Sequence, residues 1–149
     1  MHSLQALDVG LFRFINLTLM NPFFDQVMPF LSGNAFFVPA LIVAGILLVC
    51  KGRERGLFCL LLLILAVSLT DGLICRTIKH AVARPRPFLV LADVHCLLGK
   101  TNSGSLPSSH AANWFGATMV MFIYYRRSLW FMLLAALLVS FSRVYNGVH

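Results

Sequence analysis

The sequence is poor in carboxylates and poor in charge of any kind. Of 149 residues only five are Asp or Glu, against twelve Lys and Arg, and charged residues make up 11%. A soluble domain carries about 25% charged residues. Acids this few, scattered one at a time, exclude a carboxylate cage for a divalent cation. The four cysteines, Cys50, Cys59, Cys75 and Cys96, fall in no CxxC or metal-type spacing. Three of them lie in or beside apolar runs, where cysteine packs as a small hydrophobe, so they define no redox compartment. No internal repeat and no low-complexity segment occurs. No convincing secretory signal is expected either, because the first ten residues contain no Lys or Arg and Arg13 interrupts the first apolar stretch. The net charge of +7 raises nucleic acid as a partner. The cations sit between apolar runs and build no basic stripe, which excludes it.

What the chain does have is apolar length. Hydrophobic residues reach 59% and mean hydropathy is +0.84, where an average soluble domain is about 45–50% apolar. The expectation is one all-α, membrane-embedded domain over residues 1–149, a multi-pass helical bundle. Residues 4–31 are broken by Asp8, Arg13, Asn16, Asn21-Pro22, Asp25 and Pro29, which suits an interfacial helix and turn or a poor first span. Spans follow over 35–50, over 56–75 with its helix continuing to Lys79, over 108–125 and over 128–142. Residues 80–107 read as a loop rich in Pro, Gly and Ser. A crossing needs roughly 20 residues, so these runs suffice only if the polar clusters at their ends lie at the interface.

Parity fixes the sidedness. Lys51, Arg53 and Arg55 follow one span, and Arg126 and Arg127 come two spans later, so both short basic loops share a side. Such loops mark the cytoplasm. The 80–107 loop and His149 then fall together on the outer, extracytoplasmic face of the cell (inner) membrane. Lys79, Arg84, Arg86 and Lys100 on that face run against the positive-inside trend and are expected to serve a ligand.

Three polar clusters stand at span ends on this outer side. The first is Lys79 to Pro87, with Lys79 and Arg86 bracketing six residues. Its bland reading is a basic stop-transfer flank. Its functional reading is a phosphate grip, with Arg as a planar fork and Lys as a point charge. Pro85 and Pro87 end the helix and stiffen the backbone carrying Arg86. The second, Pro107-Ser108-Ser109-His110, opens a helix. Ser108 is an ordinary N-cap there, and the same geometry aims backbone N–H groups at an anion, beside which His110 would stand. The third is Ser142-Arg143 with His149. The Asn146-Gly147 pair is a helix stop, and it frees His149 from the roughly 240° rotation that a continuous helix would impose relative to Arg143. Arg143 has no acid partner nearby in sequence, which favours an anionic ligand.

Together the clusters resemble the type 2 phosphatidic acid phosphatase superfamily, whose pattern is K-x6-R-P, P-S-G-H and S-R-x5-H-x3-D. Lys79, Arg86 and Pro87 match the first part, Pro107, Ser108 and His110 the second, and Ser142, Arg143 and His149 the third. Ser109 replaces the usual glycine, and its amide can still donate. The resemblance implies that His149 attacks phosphorus and forms a phosphohistidine. It implies that Lys79, Arg86, Ser108, Ser109 and Arg143 hold the phosphate, and that His110 protonates the leaving oxygen and then activates water. It implies no metal and no cofactor, and a phosphorylated membrane lipid as partner. Undecaprenyl diphosphate leads, with lipid A, phosphatidylglycerophosphate and phosphatidate as alternatives. The family's aspartate and last helix lie beyond the pattern carried here, so a chain ending at His149 is expected to lack that helix and to be weakly active or inactive.

Two other functions fit the same residues: transfer of the phosphoryl group to another lipid, and anionic-lipid binding without catalysis. Asp71 reads as a structural polar contact between helices, Arg84 as subordinate to Arg86, and His80 and His95 as surface residues.

Overall fold

The computed structural model describes residues 2–99 and 104–149, with side chains excepted at 2 and 34–37; Lys100 lies outside the described residues. Every regular element among them is helical. α1 (His2–Arg13) runs into a π-helical turn (Phe14–Thr18), and α2 (Pro22–Ser32) follows. Asn21 starts α2 by accepting the Phe24 N–H on its side chain, and Pro22 supplies a preset φ at the first helical position.

α3 (Asn34–Leu69) is one helix in name and two in shape. At Arg53 the backbone takes φ 48 and ψ −136, and the chain doubles back. The two arms pack antiparallel, with Leu60 against Gly45 and the Leu48 backbone against Gly56. A Cβ at Gly56 would collide with the Leu48 carbonyl, so the turn admits only glycine there. Arg55 braces the reversal by donating to the Tyr124 carbonyl and lying 5.3 Å over the Tyr125 ring.

A second π-helical turn (Thr70–Cys75) leads into α4 (Arg76–Val82), then the short α5 (Pro87–Val90). The stretch read as a loop from residue 80 thus begins and ends its first third in helix, because Pro87 opens a helical turn as readily as Pro85 closes one. α6 (Ser109–Tyr124) and α7 (Leu129–Tyr145) complete the bundle. α6 packs on α7 and on α3, and α2 packs on α7 and α3. Leu48, Cys59 and Val120 form a buried cluster between the α3 arms and α6. Thr118 joins α6 to α7 by donating to the Trp114 and Met132 carbonyls.

Among the described residues two helical stretches are long and apolar enough to cross a membrane. Val38–Val90, which includes the Arg53 reversal, has a window of mean hydropathy 2.5, and Arg126–Tyr145 one of 1.6. Only 6% and 22% of those windows are buried. A soluble core helix hides its apolar residues; these face outwards, as lipid contact requires.

Candidate active site

Each of the three clusters reaches the site on a different element, and hydrogen bonds tie them together. Lys79 comes from α4, and its Nζ donates to Ser109 Oγ at 2.8 Å. The serine that replaces the family's glycine therefore links the first cluster to the second. Ala83 ends α4 in a left-handed conformation, φ 45, and turns the chain towards Arg84 and Arg86. Arg86 is 5% exposed and donates from Nη1 to the Val148 carbonyl at 2.8 Å, which links the first cluster to the third.

Ser108 stands at the N-cap of α6 but makes no capping hydrogen bond. Its Oγ is buried and has no partner among the described residues, as is Nε of Arg143. Buried polar groups rarely stay unpaired without a functional reason. The other end of Arg143 reaches back to α2, where Nη1 donates to the Ser32 carbonyl at 3.5 Å. His110, the second residue of α6, lies in the field of Arg143, Asp71, Lys79 and Arg86.

α7 ends at Tyr145, and Gly147 takes φ 74 to break the helix. A Cβ there would sit 2.7 Å from Val94 Cγ1 and 2.9 Å from the His95 carbonyl. His149 then turns inward, and its Nδ1–H donates to the Ser105 carbonyl. A carbonyl only accepts, so the proton is on Nδ1 and the lone pair is on Nε2. Burial first, and then the positive charge of Arg143, hold the His149 pKa down to about 3. The imidazole is therefore neutral and nucleophilic at physiological pH.

The structure brings together all seven residues named from the sequence: Lys79, Arg86, Ser108, Ser109, His110, Arg143 and His149. It adds a supporting frame that the sequence reading missed. Asn16 is fully buried. Its amide donates to the His95 and Tyr145 carbonyls at 2.8 and 2.7 Å, and its Oδ1 accepts from the His95 N–H at 2.9 Å. Asn146 donates to Met28 O and to Ser32 Oγ, and Ser32 in turn contacts Ser142 Oγ at 2.7 Å. Asp25 accepts from Tyr145 at 2.6 Å and from His95 Nε2 at 3.1 Å, and the Tyr145 hydroxyl holds its carboxyl below the ordinary range. His95 is thus no surface residue: it is half-buried and bonded at ring and backbone. The signal for Asn16 was present as a polar residue interrupting an apolar run. Ser105 acts through its carbonyl, which no side-chain pattern announces.

Of the residues named from the sequence, Lys79, Arg86 and Ser109 line a pocket of about 550 Å³. Among the described residues no group of three or more His, Cys, Asp or Glu comes together as a metal site. Cations, a helix N-terminus and two histidines thus meet on an outward-apolar helical bundle, an arrangement suited to an anion at a membrane.

The chain belongs to the PAP2 superfamily, whose family model matches residues 56–149. It is similar to the bacitracin transport permease protein BcrC of Bacillus licheniformis, 27% identical over 99% of this chain and 71% of that protein. It is also similar to an undecaprenyl-diphosphatase of Sulfolobus acidocaldarius, 28% identical over 95% of this chain and 67% of that protein. The fold matches the crystal structure of a transmembrane PAP2-type phosphatidylglycerolphosphate phosphatase from Bacillus subtilis. The TM-score is 0.72, with 23% identity, covering 100% of this chain and 76% of that one. The protein is a metal-independent lipid phosphatase of the membrane.

Proposed function

We propose that the chain hydrolyses a lipid diphosphate or phosphomonoester at the outer face of the cell membrane, with undecaprenyl diphosphate as the favoured substrate. The observation that carries this reading is the unpaired Ser108 Oγ and Arg143 Nε, in a site that also holds Lys79, Arg86 and a neutral His149. The relatives that act on undecaprenyl diphosphate support the choice of lipid. The basic loops at Lys51–Arg55 and Arg126–Arg127 support several crossings and an outward-facing site, and the length of 149 residues suits one domain over 1–149.

In the proposed reaction His149 Nε2 attacks phosphorus, giving a phosphohistidine. Lys79, Arg86 and Arg143 carry the non-bridging oxygens, aided by Ser108 and the Ser109 amide, where charge grows in the transition state. His110 gives a proton to the leaving oxygen, then takes one from the water that cleaves the N–P bond.

Inorganic phosphate release in detergent with a chelator present tests the reading. It is measured on undecaprenyl diphosphate, phosphatidate and lipid A, for this chain and for a version extended past His149 through the family's aspartate. Turnover that survives the chelator and vanishes in His149→Ala is expected. Consumption of lipid without phosphate release would mean transfer, and lipid binding that survives His149→Ala without turnover would mean binding alone.

A further inference from the structure

The pocket is larger than one phosphoryl group needs. At about 550 Å³ it lies within the range of about 300–1,000 Å³ that houses whole small ligands. Beyond Lys79, Arg86 and Ser109 its wall carries Arg76, His80 and Arg84. The helix explains the arrangement. Arg76, Lys79, His80 and Ala83 follow one another at the spacing that lines one helical face, and the left-handed turn at Ala83 brings Arg84 round to the same pocket. Four fixed cations thus share the lining with one carboxylate, Asp71. The reaction at a single phosphorus, as set out above, uses only Lys79 and Arg86 of those four.

Arg84 is held ready rather than consumed. Its guanidinium pairs with Asp8 of α1, and the two side chains are 41% and 51% exposed. An ion pair that open to water is weak, and a phosphoryl group offers a planar fork a stronger bidentate partner.

We propose that Arg84, with Arg76 and His80, forms a second phosphoryl subsite, so that the pocket takes a lipid diphosphate with its ester-linked phosphoryl group on Arg84. The inference rests on the phosphatase reading above. The terminal phosphorus lies at His149. The Nε2–P bond forms as the bridging P–O bond breaks, and the electron pair stays on the bridging oxygen, which departs as part of a lipid monophosphate. Arg84 and Arg76 stabilise the charge gathering on that leaving group, and His110 supplies its proton. Water then adds to the phosphorus, the N–P bond breaks, and the proton lost by water returns to His110.

The subsite predicts a change in preference, not a general loss. Initial rates are measured for wild type, Arg84→Gln, Arg84→Lys and Arg76→Gln on a prenyl diphosphate and on the monophosphate of the same prenyl chain. The ratio of kcat/KM for diphosphate over monophosphate is expected to fall about tenfold or more in Arg84→Gln, the loss of one charge-assisted contact. It should fall less in Arg76→Gln and recover in part in Arg84→Lys. A ratio that stays within about threefold of wild type in Arg84→Gln would overturn the subsite. A second arm needs no turnover: binding of a non-hydrolysable prenyl methylenediphosphonate, compared with the matching phosphonate. If wild type extended past His149 through the family's aspartate hydrolyses neither substrate, the phosphatase reading falls, while weaker diphosphonate binding by Arg84→Gln alone would still uphold the subsite and equal binding would overturn it.

Discussion

Ser109 stands where the family pattern has glycine, and the hydroxyl it adds accepts from Lys79 Nζ. Removing that hydroxyl while keeping the Cβ frees the ammonium at a cost of about 0.5–1.5 kcal/mol for one hydrogen bond. Ser109→Ala is therefore expected to raise KM several-fold with a smaller change in kcat, read from initial rates. His149 gives a pH prediction with a definite sign. Its pKa of about 3 in the folded protein lies below the ordinary 6.5. The unfolded chain thus binds the proton first as pH falls, and stability is full above about pH 6.5 and declines towards pH 3. Unfolding midpoints across that window should slope downwards with acidity, and the slope should flatten in His149→Asn. Asn16, itself fully buried, makes three hydrogen bonds between α7 and the 91–99 loop. Asn16→Ala leaves their partners unsatisfied, each worth roughly 1–3 kcal/mol, and should lower the thermal midpoint in detergent clearly below that of wild type.

At the scale of elements the reversal inside α3 is the most testable feature. Arg53 occupies φ 48, where an L side chain pays a steric penalty of roughly 1–2 kcal/mol. Arg53→Gly is expected to raise the unfolding midpoint, and Gly56→Ala, which drives a Cβ into the Leu48 carbonyl, to lower it sharply. A lower midpoint in Arg53→Gly would overturn this expectation. The helices themselves were legible, because apolar runs and punctuating Pro and Gly are local properties. The reversal was legible as a basic loop, though not its compactness: Lys51 to Arg55 remain within the helical run on either side of one residue. α6 was read as a span from 108 to 125. With 16 residues it covers about 24 Å, short of a hydrocarbon core of about 30 Å.

At the scale of the whole molecule the proposed sidedness has its own test. Glu54→Cys and Asp93→Cys lie at opposite ends of the bundle, next to the basic turn and in the loop beside the site. In intact cells a membrane-impermeant maleimide should label the second and leave the first unlabelled until the membrane is opened. The opposite pattern would place the cradle in the cytoplasm and exclude an extracytoplasmic lipid headgroup as substrate.

The sequence by itself determined the class of the protein. Residue spacing within one helix turn or one cap is a local matter, so Lys79 and Arg86, Ser108 with His110, and Arg143 with His149 stood out as three clusters, and the structure places them together. Apolar length alone gave the membrane. What only the tertiary structure decided is how those parts are held. The bond from Lys79 to Ser109, the grip of Arg86 on the Val148 carbonyl and the Ser105 carbonyl that sets the His149 tautomer all join residues far apart in the chain. So do the Asn16 and Asn146 braces, and so does the meeting of Arg76, His80 and Arg84 with the phosphate grip in one pocket. Their common physical reason is that a backbone carbonyl has no sequence signature, and a polar side chain in an apolar run does not name its partner. Either acquires a role only when folding removes water and leaves one partner within reach.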